Sequence, residues 1–214
     1  GVRVLGGQPA IGASASARVR GMRSRTALAL SALILVEAFG AAAHAAGQTL
    51  TLDPAASKID FELGATLHSA DGSVKLEQGT IRFDPDSGAA SGEIVVDATS
   101  ADTGSGSRDH NMHADVLESE RFPKIVFRPE RLDVKRRDAA SADVVLLGAL
   151  DMHGQQHPLS MPAKLALRDG RLVVDAKFEV PYVEWGMRDY SNFVLRVDRH
   201  VTVTLHAEGA LATP

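Results

Sequence analysis

No cysteine occurs among the 214 residues of this chain. That absence removes disulfide staples, thiolate nucleophiles and thiolate metal sites, and it leaves the compartment open because many exported proteins manage without cysteine. Aromatic residues are scarce too, at 5% with one tryptophan, so an interior of any size has to be built mostly from aliphatic side chains. Nowhere does an uninterrupted apolar run approach the roughly 20 residues that a helical membrane span needs. Positive charge is not in excess either: 23 Lys and Arg stand against 27 Asp and Glu, a net charge of −4. Nucleic acids and anionic bilayer surfaces are held chiefly by basic side chains that neutralise phosphate, and this chain offers no such footprint. Patterns for a nucleophile elbow (Gly-x-Ser-x-Gly), a zinc-protease helix (His-Glu-x-x-His) or a Ser-x-x-Lys nucleophile do not occur beyond residue 45.

What is present begins with an export signal. Met22-Arg23-Ser24-Arg25 and the apolar run from Ala27 to Val36 read as its basic and hydrophobic regions, and Ala43-His44-Ala45 supplies a small-x-small cleavage site. Residues 22–45 are therefore expected to be a signal peptide directing the protein to export. Residues 1–21, with Arg3, Arg18 and Arg20 in a Gly/Ala/Ser background, are expected to be upstream or non-native sequence, the alternative being a disordered extension. Residues 1–45 hold five of the 23 basic residues and one of the 27 acidic ones, so the remaining domain, 46–214, carries a net charge of −8. It is long enough for one core of its own.

That domain alternates apolar and polar residues with period two, the mark of strands with one dry and one wet face. Ile59, Phe61 and Leu63 face one way and Lys58, Asp60 and Glu62 the other. Val74, Leu76, Ile81 and Phe83 follow, then Ile94 and Val96, Ile125 and Phe127, Leu132 and Val134. Lys135 to Asp143 reads as a charged loop, and Val144 to Leu150 as a continuous apolar run expected to be covered on both faces. Leu159, Met161, Ala163 and Leu165 lead to Asp169-Gly170, a strong hairpin signal, after which Leu172, Val174, Ala176, Phe178 and Val180 return. Val201, Val203, Leu205 and Ala207 end the series. One segment breaks the pattern: from Arg108, with Asp109 in the first turn and Met112 and Val116 four apart, a short helix is expected, stopped before Pro123. About eight strands with short turns fit an antiparallel barrel, or a two-sheet sandwich of the same periodicity.

Several segments resemble the YceI-like family. Ser107-Arg108-Asp109-His110-Asn111-Met112 after a Gly/Ser loop leads into Phe122-Pro123-Lys124-Ile125-Val126-Phe127. Leu52-Asp53-Pro54-Ala55-Ala56-Ser57, Asp97 to Gly104, Gly148 to Gly154 and Trp185-Gly186-Met187 follow the family's order. The resemblance covers about residues 49 to 209. It implies an all-β, lipocalin-like antiparallel β-barrel of about eight strands with one short capping helix, holding a long apolar lipid in the bacterial periplasm: a polyisoprenoid, an isoprenoid quinone or a similar chain. No catalytic residue, metal or cofactor is expected, oligomeric state is left open, and neither nucleic acid nor an integral membrane span is expected.

The alternation supplies the expected lining: Phe61, Ile81, Phe83, Ile94, Phe127, Leu165, Ala176, Phe178, Trp185 and Val203, with Met112 and Val116 from the helix. Arg108 is the expected head-group contact, beside a Gly-rich loop whose amides suit an anion, although Asp102 and Asp109 oppose one. A different chemistry is offered by His110 and His113, three apart, and His153 and His157, four apart across a Gly-containing turn. If each pair converged it would chelate zinc, nickel or copper, so a His-rich metal-binding barrel is the alternative, and an enzyme with an unrecognised site the third reading. The export reading expects the mature chain to begin at Ala46. N-terminal sequencing of exported material checks this, and a membrane-retained protein beginning near Met22 is the contrary result.

Overall fold

The computed structural model describes residues 47–66 and 69–212; the expected signal peptide, its cleavage site and the extension before it lie outside them. Nine strands follow one another: β1 (Gln48–Leu52), β2 (Lys58–Leu63), β3 (Ala70–Phe83), β4 (Ala90–Asp102), β5 (Lys124–Arg137), β6 (Ser141–Met152), β7 (Gln155–Arg168), β8 (Arg171–Val180) and β9 (Val201–Ala212). Every pairing is antiparallel, sequential strands from β2 to β9 are neighbours, and β2 closes the sheet by pairing with β9 as well as with β3. β1 also pairs with both β3 and β9, further along the same two partners. The nine strands therefore make eight staves of a closed barrel, with β1 and β2 sharing one stave. A closed barrel has no free edges to protect.

The first stave is broken by chemistry local to it. Pro54 has no N–H to donate to a ladder, and Asp53 turns its carboxylate back to accept from the Ala55 N–H at 3.0 Å. A single 3₁₀ turn, Pro54–Ala56, follows. Ser57 Oγ donates to the Asp53 carbonyl at 2.7 Å, and Arg171 from β8 holds the other Asp53 oxygen at 3.0 Å.

Turn chemistry sets the register elsewhere. Asp169 and Gly170 both have positive φ (49° and 77°), as do His153 and Gly154 (54° and 73°), the two-residue hairpin geometry that matches strand twist. The β3–β4 turn is held by Asp84, whose Oδ1 accepts from the Asp86 and Ser87 amides. Bulges reset the inward face along the long strands. The β3–β4 register shifts between Leu76 and Gln78, so that Val74 and Leu76 hand over to Ile81 and Phe83 on the same side. A second shift lies at Asp97–Asp102, where Asp97 caps the Thr99 amide and accepts from its hydroxyl. β5 shifts between Pro129 and Arg131, carrying the inward role from Phe127 to Leu132.

Two expectations are corrected. Lys135 to Asp143 is mostly strand: β5 and β6 pair as far as Arg137 and Ala142, with Arg136 Nε 3.1 Å from Asp143 Oδ2 across the ladder. Opposite charges facing one another across two strands stabilise what looked like a loop. The run from Val144 to Leu150 is one-sided, with Val144, Leu146 and Leu150 buried and Val145, Leu147 and Ala149 only half-buried. No helix covers the outer side of β6 among the described residues.

The helix lies where expected. α1 spans Gly106–Asn111 and continues through a π-helical turn at Met112–Val116, a distortion often met at functional places. Connectivity puts it at one end of the barrel, with the β2–β3, β6–β7 and β8–β9 connections; the β3–β4, β5–β6 and β7–β8 turns lie at the other. Gly148 tests the packing in between. A Cβ there would meet the Arg128 carbonyl oxygen at 2.2 Å and Phe127 Cζ at 2.9 Å. Gly148→Val is expected to destabilise the fold by about 1–3 kcal/mol in denaturant unfolding, whereas Gly106→Ala, with nothing within 4 Å of its Cβ, is expected to be neutral.

Candidate functional site

The barrel interior is unevenly filled. Toward the turn end, Leu50, Leu52, Ile81, Leu146, Leu172 and Ala207 pack together, around a void of only about 50 Å³. Toward the helix end the aliphatic side chains of the same strands leave a cavity of about 670 Å³. Phe61, Ile94, Val96, Ile125, Phe127, Met152, Leu159, Met161, Phe178, Val180 and Val203 form its strand wall. Met112, Val116 and Leu117 close it from the helix, and Tyr190, Leu195 and Val197 from the β8–β9 loop. Its few polar members, among them Thr103, Ser107, Arg108, Asn111 and Tyr190, belong to the helix end.

The expected lining residues divide accordingly. Phe61, Ile94, Met112, Val116, Phe127, Phe178 and Val203 line the large cavity, as does Arg108. Ile81, Phe83 and Leu165 line the small void instead, and Ile94 touches both. Ala176 is buried between the two. Trp185 stands outside the cavity wall, stacked face to face on His157 with ring centroids 4.1 Å apart and planes 4° from parallel. Alternation missed Tyr182, Met187, Tyr190, Leu195 and Val197, because an irregular loop has no period. The signal there was compositional: four of the six residues Asn192 to Val197 are apolar.

Arg108 is positioned by Thr103. Its Nε donates to Thr103 Oγ1 at 2.8 Å and its Nη2 to the Thr103 carbonyl at 3.0 Å. Asp109 accepts from both the amide and the hydroxyl of Thr103, at 2.9 and 2.5 Å. The Thr103 hydroxyl bond, aided by the amide and by the charges of His113 and Arg108, holds the Asp109 carboxyl below its ordinary range. Asp102 is likewise engaged locally, by the Gly104 amide at 2.7 Å. The guanidinium thus keeps a donor edge, at Nη1, free of protein partners among the described residues.

Helix and loop are clasped by one carboxylate. Asp115 accepts from the Tyr190 hydroxyl and pairs with Arg188 at 3.0 Å, and the Arg188 guanidinium lies 5.0 Å from the Tyr190 ring centre. The bond to Asp115 is the main cause of a Tyr190 phenol shifted above its ordinary 10.0. On the far side, His113 bridges Ser119 Oγ at 2.8 Å and the Ala101 carbonyl at 2.9 Å, so both its ring nitrogens are used. His153 Nε2 sits 3.0 Å from Glu118 Oε1. His110 is exposed and His157 faces Trp185. Neither histidine pair converges, and among the described residues no three His, Asp or Glu side chains are grouped to hold a metal. Among those residues, too, no helix is long and apolar enough to cross a membrane.

The sequence profile of the YceI-like domain matches residues 50–209. A search of curated proteins returns no match. Among solved structures, BcnA of Burkholderia cenocepacia is similar, at 17% identity and a TM-score of 0.61 over 76% of this chain and 99% of that one. A polyisoprenoid binding domain of Saccharophagus degradans, implicated in plant cell wall breakdown, is similar at 16% identity and a TM-score of 0.57, over 77% of this chain and 98% of that one. At these identities the likeness is one of fold.

The His157 ring generates a test of this end of the barrel. Its Nε2 is buried with no hydrogen-bond partner, and burial lowers its pKa below 6.5, opposed by the charge of Asp151. A histidine that is held neutral in the folded state contributes stability above its unfolded pKa. That contribution is lost as pH falls from about 6.5 through the folded value, because the unfolded chain takes up the proton first. His157→Phe keeps a ring against Trp185 and removes the orphaned nitrogen. We expect it to flatten the loss of stability between pH 7 and 5, with a gain of about 1 kcal/mol at the acid end, measured by urea unfolding at each pH.

Proposed function

The chain belongs to the YceI-like family, and we propose from that membership and from its cavity that it binds a long apolar lipid tail without chemical conversion, in the periplasm. The observation that carries the reading is the 670 Å³ of apolar space that the chain leaves at one end of its barrel while packing the other. By the scale on which a 150 Å³ apolar cavity accepts benzene, about 25 Å³ per carbon, this is room for about 25 carbons, or five isoprene units. Each buried CH₂ contributes about 0.8 kcal/mol, so one five-carbon isoprene unit is worth about 4 kcal/mol before ordering costs. Several units suffice for tight binding with no specific hydrogen bond. The polyisoprenoid binding of the Saccharophagus degradans domain supports the choice of a branched prenyl chain, whether on an alcohol, a phosphate or a quinone.

The polar members of the wall set the orientation. The tail runs from the helix end toward Met161 and Leu205, and the head stays beside Ser107, Arg108 and Asn111. The free edge of the Arg108 guanidinium is a donor suited to a phosphate or a quinone carbonyl. Export to the periplasm is supported by the signal-like residues 22–45.

Val203 lies between Phe61 and Phe178 on neighbouring strands and faces the cavity. Val203→Trp is expected to occupy the tail's space and lower prenyl-lipid affinity at least about tenfold, with little change in melting temperature because the new ring enters existing space. The outward Lys177→Ala is expected to change neither. Extraction and mass spectrometry of co-purified lipid, with titration of geranylgeraniol, measure the effect. Equal lipid content in Val203→Trp and wild type would sink the cavity as the binding site.

A further inference from the structure

The β8–β9 loop has two faces. Its inner residues Tyr190, Leu195 and Val197 line the cavity, while its tip carries Phe193 at 101% and Val194 at 82% exposure. Among the described residues the other exposed large apolar side chains are Val134 at 45% and Leu167 at 50%, and both lie toward the opposite end of the barrel. A fully exposed phenylalanine beside a valine, at the end where the cavity is closed by helix and loop, marks a surface made to meet something apolar.

The tip is built for a medium poor in water. Asn192 Oδ1 accepts from the amides of Val194 and Leu195 at 2.9 and 2.8 Å, and the Asn192 amide donates to the Leu195 carbonyl at 2.8 Å. These backbone groups are satisfied within the turn, which removes the main cost of moving a loop into a bilayer interface. The loop is also stiff at its base. Ser191 Oγ bonds both the amide and the carbonyl of Val197, at 3.0 and 3.2 Å. Thr66 bonds the carbonyl and amide of Arg196, and the Asp198 amide donates to the Gly64 carbonyl at 2.8 Å. A flexible loop would fold its apolar tip back over the barrel; this one holds it out. Around the tip Arg188, Arg196 and Arg199 outnumber Asp189 and Asp198 by one, so local charge does not repel a lipid surface in spite of the acidic domain.

We infer that the Phe193-Val194 tip docks the protein on the surface of a lipid bilayer, inserting both side chains into the interface and setting the cavity's helix end against the membrane, where a prenyl tail can pass between them. As a route for loading, this rests on the lipid-binding reading; the docking itself rests on the tip. Because it works by insertion rather than by charge, it needs no anionic lipid and survives high salt.

The test is flotation of the mature protein with phosphatidylcholine vesicles that contain no isoprenoid, beside titration of geranylgeraniol in the absence of vesicles. Wild type is expected to float. Phe193→Ser/Val194→Ser is expected to lose vesicle binding about tenfold or more while binding geranylgeraniol as before, and the opposite-end variant Val134→Ser/Leu167→Ser to float like wild type. Failure of wild type to float, or equal flotation of the tip variant, overturns the docking and leaves lipid binding standing. Flotation without geranylgeraniol binding overturns lipid binding and leaves the docking standing. A concentration-dependent dimer in sedimentation that vanishes in the tip variant shows a second copy on the tip and overturns the bilayer as its partner.

Discussion

Closing eight antiparallel staves on themselves fixes the cross-section of the interior before any side chain is chosen. The sequence then decides how that space is used. Toward the turn end it supplies Leu50, Leu52, Ile81, Leu146 and Leu172, which meet across the axis and form a core. Toward the helix end it supplies Val96, Ile125, Leu159, Met161 and Val203, whose side chains leave a cavity between them. The division follows from residue choice at positions that all point inward. One half of the barrel holds the fold together, and the other half is free to do something else.

The covered half depends on a small set of polar contacts. Asp115 joins helix to loop through Tyr190 and Arg188, while His113 and His153 fasten the segment after the π turn through Ser119, the Ala101 carbonyl and Glu118. One histidine of each pair that looks like a metal chelate by spacing, His113 and His153, is a structural tie in its geometry. Burial of Ser119 gives the reason: a polar side chain so placed needs a partner, and an imidazole that bonds on both nitrogens supplies one.

The alternation of Ile59, Phe61 and Leu63, of Leu172 through Val180, and of Val201 through Ala207 was legible because each lies on a strand free of bulges, and the Asp169-Gly170 turn fixed its own hairpin. The inward faces of β3 and β5 required bulges at Leu76–Gln78 and Pro129–Arg131, which period-two reading spans without seeing. Depth along the barrel axis was illegible altogether. Alternation says that Ile81, Leu165 and Phe178 point inward, and it does not say that the first two fall in the packed half and the third in the open one. Trp185 attracted attention as the one tryptophan, yet its ring faces His157; the cavity contact of that cluster is Met187, and the far side of the loop reaches the cavity through residues with no periodicity at all.

The stave shared by β1 and β2 pairs with β9, so that Leu50 lies opposite Leu211 and Phe61 opposite Val203. The first strands of the domain are thus completed by its last. Contacts so distant in sequence have to close a loop nearly as long as the domain before they return any stabilisation, which makes folding slow and late. Until residue 212 is available the sheet has two raw edges and no sealed interior. A partly made domain therefore stays open, and its interior is sealed only when the last strand takes its place between the first stave and β8.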